Sequence, residues 1–358
     1  MSSAFHELTI GEVRRETPDA VSVRFDLPAA LREVFAFRPG QHLTLRHRFD
    51  GEDVRRNYSI CAAPSDGELR IAIKRIEGGV FSTWATHALK AGEIVEVMAP
   101  HGAFTWSFDP RRTAHYVGFA GGSGVTPIIS LLKTMLVEEP HSHFTLIYGN
   151  RDSNSIIFLE ELASMKNKFM DRLELYHVLA EEEGDVDLFN GRLDSAKIVD
   201  LFATLFDPSD VGAAFICGPG PMMDAVEQAL LQRGVIKDRI LVERFTADGP
   251  SQTEVSLHQD IDRRAEGRAV VVTLDGRRRT ILFDSAKGGI LENARAAGMA
   301  APFACKAGVC ATCRAKLVSG EVHMKANYGL SAEEVAQGYI LTCQSSPLSD
   351  NVAVDFDA

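Results

Sequence analysis

Apolar and polar residues alternate with a period of two along roughly the first hundred positions. Val21-Ser22-Val23-Arg24-Phe25, His42 to Leu45, Leu69 to Ile73 and Ile94 to Val97 all follow it, and turn signals at Arg38-Pro39-Gly40 and Ser65-Asp66-Gly67 interrupt it. The pattern predicts an antiparallel barrel or sandwich. From His115 to Phe245 the period changes. Strand-like runs at 116–120, 144–148, 173–179, 214–217 and 240–242 alternate with helical ones at 127–136, 156–169, 195–206 and 221–233. That alternation predicts a doubly wound α/β domain with about five parallel strands. Residues 247–266 are polar with little apolar periodicity and read as a linker. After it, 269–274 and 280–283 flank Asp275-Gly276 as a β-hairpin, and 290–297 reads as a helix. The expected domains are 1–108, 109–246 and 267–358, with the linker between the last two.

The length of 358 residues exceeds one ordinary core and agrees with several domains. With 45% hydrophobic and 24% charged residues, the composition is that of a soluble globular protein. No apolar run is long enough to span a bilayer. The start of the chain has neither a basic region nor an apolar signal core, so a cytoplasmic location is expected, with six cysteines held as reduced thiols or cofactor ligands. The net charge of −11 argues against nucleic acid as a partner. It is unevenly spread: from Arg268 onward ten Lys/Arg face nine Asp/Glu, so the acidity lies upstream.

The sharpest chemical signal is Cys305-x4-Cys310-x2-Cys313, followed by a distant Cys343. This spacing matches plant-type [2Fe–2S] ligation. A four-cysteine zinc site usually presents two C-x2-C pairs, and here there is one. Gly308 inside the loop gives the backbone freedom to bend around a cluster, and Ala304, Ala307 and Ala311 leave room for close approach.

Further motifs lie upstream. Arg56-Asn57-Tyr58-Ser59 is an R-x-Y-S segment; Gly79-Val80-Phe81-Ser82 precedes a helical run; Gly121-Gly122-Ser123-Gly124-Val125-Thr126-Pro127 follows a strand; and Cys217-Gly218-Pro219 ends another. Alone, R-x-Y-S suits a half-exposed strand with a solvated arginine, and a buried cysteine is more often a small core residue. The glycine loop differs from G-x-G-x-x-G but still forms a strand–turn–helix pyrophosphate cradle, with Pro127 read at the first helical position. Together these segments resemble the ferredoxin–NADP reductase superfamily with a C-terminal plant-type ferredoxin of the β-grasp fold, and the resemblance covers nearly the whole chain.

The resemblance implies FAD rather than FMN in the barrel. Arg56 would hold the flavin pyrophosphate, Tyr58 and Ser59 would contact the ring, and Lys74 with Gly79, Val80, Phe81 and Ser82 would bind phosphate at a helix N-terminus. Gly122, Gly124, Thr126, Pro127, Gly218 and Pro219 would cradle the pyridine nucleotide. Cys217, with Ser59 the candidate for the catalytic centre, would stand beside the nicotinamide and shape geometry rather than act as a nucleophile. Arg151 and Ser153 suit the 2′-phosphate of NADPH, whereas Asp152 between them suits NADH. Phe245 is either a cover for the flavin or a core residue. All eleven histidines read as structural or solvated.

The implied activity is electron transfer from NADPH to FAD to [2Fe–2S] to an oxygenase component of a multicomponent complex. Similarity is greatest to reductases serving di-iron oxygenases of an aromatic CoA thioester. Rieske-type oxygenases and the hybrid-cluster protein are alternative acceptors, with NADH as donor, and a non-catalytic zinc scaffold is the alternative of a different class.

Overall fold

A computed structural model of the chain describes residues 4–245 and 252–358. They fall into two compact units, one running to Phe245 and the other beginning after it. Among the described residues no helix is long and apolar enough to cross a membrane.

The first unit opens with a barrel built from β1 (Phe5–Thr17), β2 (Ala20–Asp26), β3 (His42–Phe49), β4 (Glu52–Ser59), β5 (Leu69–Lys74) and β6 (Ile94–Met98), with helix α1 (Val80–His87) after β5. The strands are antiparallel in the order β4-β3-β6-β1-β2-β5. Ile60, just past β4, bridges to Ile71 in β5 and closes the sheet on itself, which removes its open edges. Alternate side chains such as Leu43, Leu45, Ile71 and Ile73 fill the interior, as the period-two pattern requires.

The same unit continues with β7 (His115–Gly121), α2 (Val125–Glu138), β8 (His143–Asn150), α3 (Leu159–Lys168), β9 (Leu173–Leu179), α4 (Ser195–Leu205), β10 (Val211–Cys217), α5 (Gly220–Gln232) and β11 (Ile240–Glu243). Five parallel strands lie in the order β11-β10-β7-β8-β9. Strand order reverses between β7 and β10, so the loops after these two strands open a crevice at the carboxyl edge, where α/β sheets bind ligands. Helix α2 is apolar almost all round and is buried almost throughout. It packs on the sheet and reaches the barrel, where Ser130 Oγ donates to the Ala62 carbonyl at 2.6 Å. Pro127 is the third residue of α2, because a 3-10 turn over Gly122–Gly124 delays the helix start. It remains in the first turn, where a missing N–H costs nothing.

The second unit holds α6 (Gln252–Ala265), β12 (Ala269–Leu274), β13 (Arg277–Leu282), α7 (Ile290–Ala296), β14 (Arg314–Ser319), β15 (Val322–Met324), α8 (Ala332–Ala336), β16 (Tyr339–Leu341), β17 (Ser345–Pro347) and β18 (Val352–Asp355). Its main sheet runs β13-β12-β18-β14-β16, and β15 pairs with β17 in a small second sheet. Only β12 and β18 are parallel neighbours, and Ile290, Leu291 and Ala294 of α7 join the core.

The stretch read as linker needs correction. Residues 252–265 form a fourteen-residue helix; the part of the reading that falls on 247–251 lies outside the described residues. Ala265 is fully buried in the core of this unit. Asp262 accepts from Ser346 Oγ at 2.6 Å and pairs with Lys325. Polar anchoring replaces the apolar stripe that a sequence pattern would reveal.

Candidate functional site

In the first unit, β3 and β4 place Ser59 directly across from His42, and Asn57 across from Thr44. These four side chains therefore share one face of the ladder. In the nucleotide sheet, Cys217 lies level with Glu243 on β11. The two pairs meet: His42 Nδ1 is 3.9 Å from Glu243 Oε1. Ser59 and Cys217, the candidates for the hydride-transfer centre, are thus joined through His42 and Glu243. Thr44 Oγ1 donates to Asn57 Oδ1 at 2.8 Å, which turns the Asn57 amide N–H groups toward His42 Nε2 at 3.4 Å. Nε2 then accepts, and the neutral ring carries its proton on Nδ1, facing Glu243. Burial, and next the neighbouring His101, push the His42 imidazolium well below its ordinary range. Burial, reinforced by Glu243, raises the Cys217 thiol well above its own. A protonated thiol is no nucleophile.

The glycines of the crevice are sterically required. A Cβ on Gly124 would lie 2.0 Å from the Cys217 carbonyl oxygen, one on Gly121 2.4 Å from Pro219, and one on Gly218 2.6 Å from Met222. Only bare backbone lets the loop after β7 rest against the loop after β10. Gly122 adopts φ +52°, in the left-handed region. Thr126 is buried and donates its hydroxyl to the Ser123 carbonyl at 3.0 Å. It and Pro127 support the cradle from inside.

On the flavin side, Arg56 is exposed and its guanidinium donates to the Arg55 carbonyl at 2.7 Å. Tyr58 is half-buried, and desolvation raises its phenol pKa, so the hydroxyl stays protonated. Gly79 caps α1, and the amides of Val80, Phe81 and Ser82 form its first turn, free of helical acceptors. The Ser82 hydroxyl is committed inside the loop: it accepts from the Ile76 N–H at 3.1 Å and donates to the Gly79 carbonyl at 3.2 Å. The Ser82 side chain thus braces the loop that precedes the first turn of α1. Lys74 Nζ lies 3.7 Å from Asp19 Oδ2, and 3.7 Å from where a Cβ on Gly122 would sit.

Asp19 Oδ2 is also 3.7 Å from Arg151, whose side chain remains 60% exposed. The Ser153 N–H donates to Glu182 at 2.7 Å, and Asp152 caps the turn that follows through the Ser155 N–H. Phe245, 37% exposed, is not a core residue.

In the second unit the four cysteine sulfurs form two pairs. Cys310 neighbours Cys305, and Cys343 neighbours Cys313; the hydrogen of the neighbouring thiol holds down the Cys310 and Cys343 thiols. Backbone N–H groups of Ala307 and Cys310 donate to Cys305 Sγ at 3.3 and 3.4 Å, and that of Cys305 donates to Cys310 Sγ at 3.4 Å. Two pairs suit two irons with two thiolates each, and amides aimed at sulfur suit a cluster whose charge they neutralise. Gly308 has φ +76°, and a Cβ there would lie 2.8 Å from the Ala326 carbonyl oxygen. The donor set therefore fits [2Fe–2S] better than zinc.

Sequence reasoning missed His42 and Asn57 as members of the first site, whereas the resemblance already implied that the segment from Glu243 to Phe245 lies near the flavin. Asn57 was visible as the unassigned position of R-x-Y-S, but no local pattern joins His42 to Glu243.

Family models for an oxidoreductase FAD-binding domain, an oxidoreductase NAD-binding domain and a 2Fe-2S iron-sulfur cluster binding domain match residues 7–106, 119–228 and 272–348. The chain is 44% identical to one of the subunits of the 1,2-phenylacetyl-CoA epoxidase of Escherichia coli K12, over 99% of both chains. It is 34% identical to the ferredoxin reductase component of 3-ketosteroid-9-alpha-monooxygenase from Rhodococcus rhodochrous, over 98% of this chain and 96% of the other. Among solved structures, phthalate dioxygenase reductase shares the fold with a TM-score of 0.61 at 23% identity, over 99% of this chain and 98% of the other.

Proposed function

Because this chain belongs to the NAD(P)H-dependent flavin and iron–sulfur reductase components of oxygenases, we propose that it draws electrons from NADPH and delivers them to the di-iron subunit of a phenylacetyl-CoA epoxidase. One observation carries the choice of acceptor. Identity is 44% to the epoxidase protein, against 34–36% to the ketosteroid components and 31% to the glycine betaine ones. The test is NAD(P)H-dependent turnover of phenylacetyl-CoA by the oxygenase subunits with and without this protein. No stimulation sinks the assignment.

The chemistry divides among cofactors and chain. A nicotinamide gives two electrons together and a [2Fe–2S] centre takes one at a time, and flavin chemistry supplies the conversion between them. The chain contributes position and field. Arg56 and the first-turn amides of α1 would hold a pyrophosphate, the dipole of α1 adding to the attraction. Tyr58 and Ser59 would border the ring. The glycine loops after β7 and β10 would seat the nucleotide, and Cys217, fully buried, would fix the depth to which the nicotinamide enters. Small errors of depth matter, since a misplacement of about 1 Å can cost about 10²-fold in rate.

NADPH is proposed on the exposed guanidinium of Arg151 next to Ser153. A second reading, NADH, has its own observation: Glu182 already occupies the Ser153 N–H. Anaerobic titration of flavin absorbance with each nucleotide separates them. Bleaching at lower NADH than NADPH overturns the NADPH assignment.

A further inference from the structure

Gln344, next to the fourth cysteine and assigned no role by sequence spacing, lies across the cluster loop. Its side-chain Nε2 donates to the Lys306 carbonyl at 2.9 Å and to Cys343 Sγ at 3.6 Å. Its Cγ would stand 3.1 Å from a Cβ on Gly308, so the glycine both bends the loop and makes room for this side chain. The Gln344 backbone is pinned in turn, its carbonyl accepting from the Lys325 N–H at 2.8 Å. One amide group therefore ties the loop bearing Cys305, Cys310 and Cys313 to the segment bearing Cys343. It does so at the loop's most accessible corner: Cys305 is partly exposed while the other three cysteines are buried, and Lys306 is held at φ +55°, unusual for a residue with a side chain.

We infer that Gln344 is a positioning residue that sets the reduction potential of the cluster, by donating its amide N–H to the Cys343 sulfur and by closing the Lys306 corner of the loop. The assignment rests on the electron route proposed above. Reducing a [2Fe–2S] centre adds one negative charge, so an N–H donor at a ligand sulfur favours the reduced form and raises the potential. The backbone donors at Cys305 and Cys310 are fixed by the fold. Gln344 is a side-chain donor to the Cys313–Cys343 pair, and a substitution can remove it without altering a ligand. Because the cluster stands between the electron source and the acceptor, its potential decides how far electrons move forward.

The test is a redox titration of the holoprotein, followed by the electron paramagnetic resonance of the reduced cluster. In Gln344→Leu, which lacks the donor, and Gln344→Glu, which keeps the shape but replaces the donor with a carboxylate, the one-electron equilibrium should move at least tenfold toward the oxidised cluster. That is a fall of about 59 mV. A change below twofold in both variants overturns the assignment. A measurement on the unsubstituted protein guards against variants that fail to assemble. With glutamine side chains labelled with ¹⁵N, the reduced cluster should show hyperfine coupling to one such nitrogen, and its absence overturns the assignment as well. If the unsubstituted protein gave no reduced-cluster signal at all, the cluster reading itself would fall and this inference with it. A normal signal with an unmoved potential sinks the role of Gln344 alone.

Discussion

Glu139, fully buried at the end of α2, accepts from the hydroxyl of Tyr116 at 3.0 Å. The same carboxylate receives the Asp109 N–H at 2.8 Å, the Ser142 hydroxyl at 2.6 Å and the Arg112 guanidinium at 3.1 Å. Asp109 and Arg112 belong to the connector between β6 and β7, so one buried carboxyl group stitches the connector to the nucleotide sheet. Glu139→Ala would leave the Asp109 N–H and the Tyr116 hydroxyl without this acceptor, while Arg112 keeps Ser107 and Tyr116 and Ser142 keeps the Arg112 carbonyl; stranding buried donors in this way costs about 1–3 kcal/mol. Urea denaturation should show that loss, with Glu139→Gln less affected. Equal stability of Glu139→Ala and the unsubstituted protein would contradict the network.

Gly124→Ala should separate the two crevice loops, because its Cβ would collide with the Cys217 carbonyl. NAD(P)H-driven bleaching of the flavin should slow by about 10²-fold, while dithionite still bleaches it. Stopped-flow absorbance distinguishes the two routes.

Cys310→Ser should remove a cluster ligand and with it cluster-dependent reduction of cytochrome c or oxygenase. Reduction of ferricyanide, which flavin performs directly, should persist. Equal loss of both activities would contradict the proposed order of carriers.

The nucleotide assignment gives a paired expectation. Arg151→Ala should raise KM for NADPH about tenfold, or about 1.4 kcal/mol, and leave KM for NADH nearly unmoved. Glu182→Gln should lower KM for NADPH by removing a carboxylate from the Ser153 N–H. Steady-state assays with both nucleotides read the two effects.

Stability should depend on pH through buried histidines. Burial, and then the stacked ring of His143, lower the pKa of His115 from 6.5 to about 4. Between those values the unfolded chain binds a proton that the native state does not. Stability therefore rises with pH across the window; it is full above about pH 6.5 and lost as pH falls toward 4, with a slope of up to about 1.4 kcal/mol per pH unit per group. His42, lowered for the same reason, adds in the same direction. His115→Phe should flatten the pH dependence of the urea midpoint between pH 7 and 5.

Much of this arrangement is written in local sequence. Period-two runs in the barrel and alternating elements in the nucleotide sheet follow from which faces must be buried. The cysteine spacing announces its chemistry because ligand geometry constrains neighbours along the chain. Other features arise only from packing. His42 meets Glu243 because two ladders fix their registers independently, and nothing near either residue signals the other. Nothing near Ser82 in sequence signals that its hydroxyl bonds to Ile76 and Gly79. The helix at 252–265 is easily overlooked because its composition is mostly polar and its seat depends on Asp262 reaching Lys325 and Ser346.

That helix also redraws the smallest portable piece of the molecule. The iron–sulfur family match begins at residue 272, and a fragment cut there would expose the cavity left by Ala265 and abandon Lys325 and Ser346 without their aspartate. A fragment beginning ahead of Gln252 would carry its own brace. Grafting this electron carrier onto another reductase, by recombination or at the bench, should succeed with the longer cut and yield a loosened cluster domain with the shorter one.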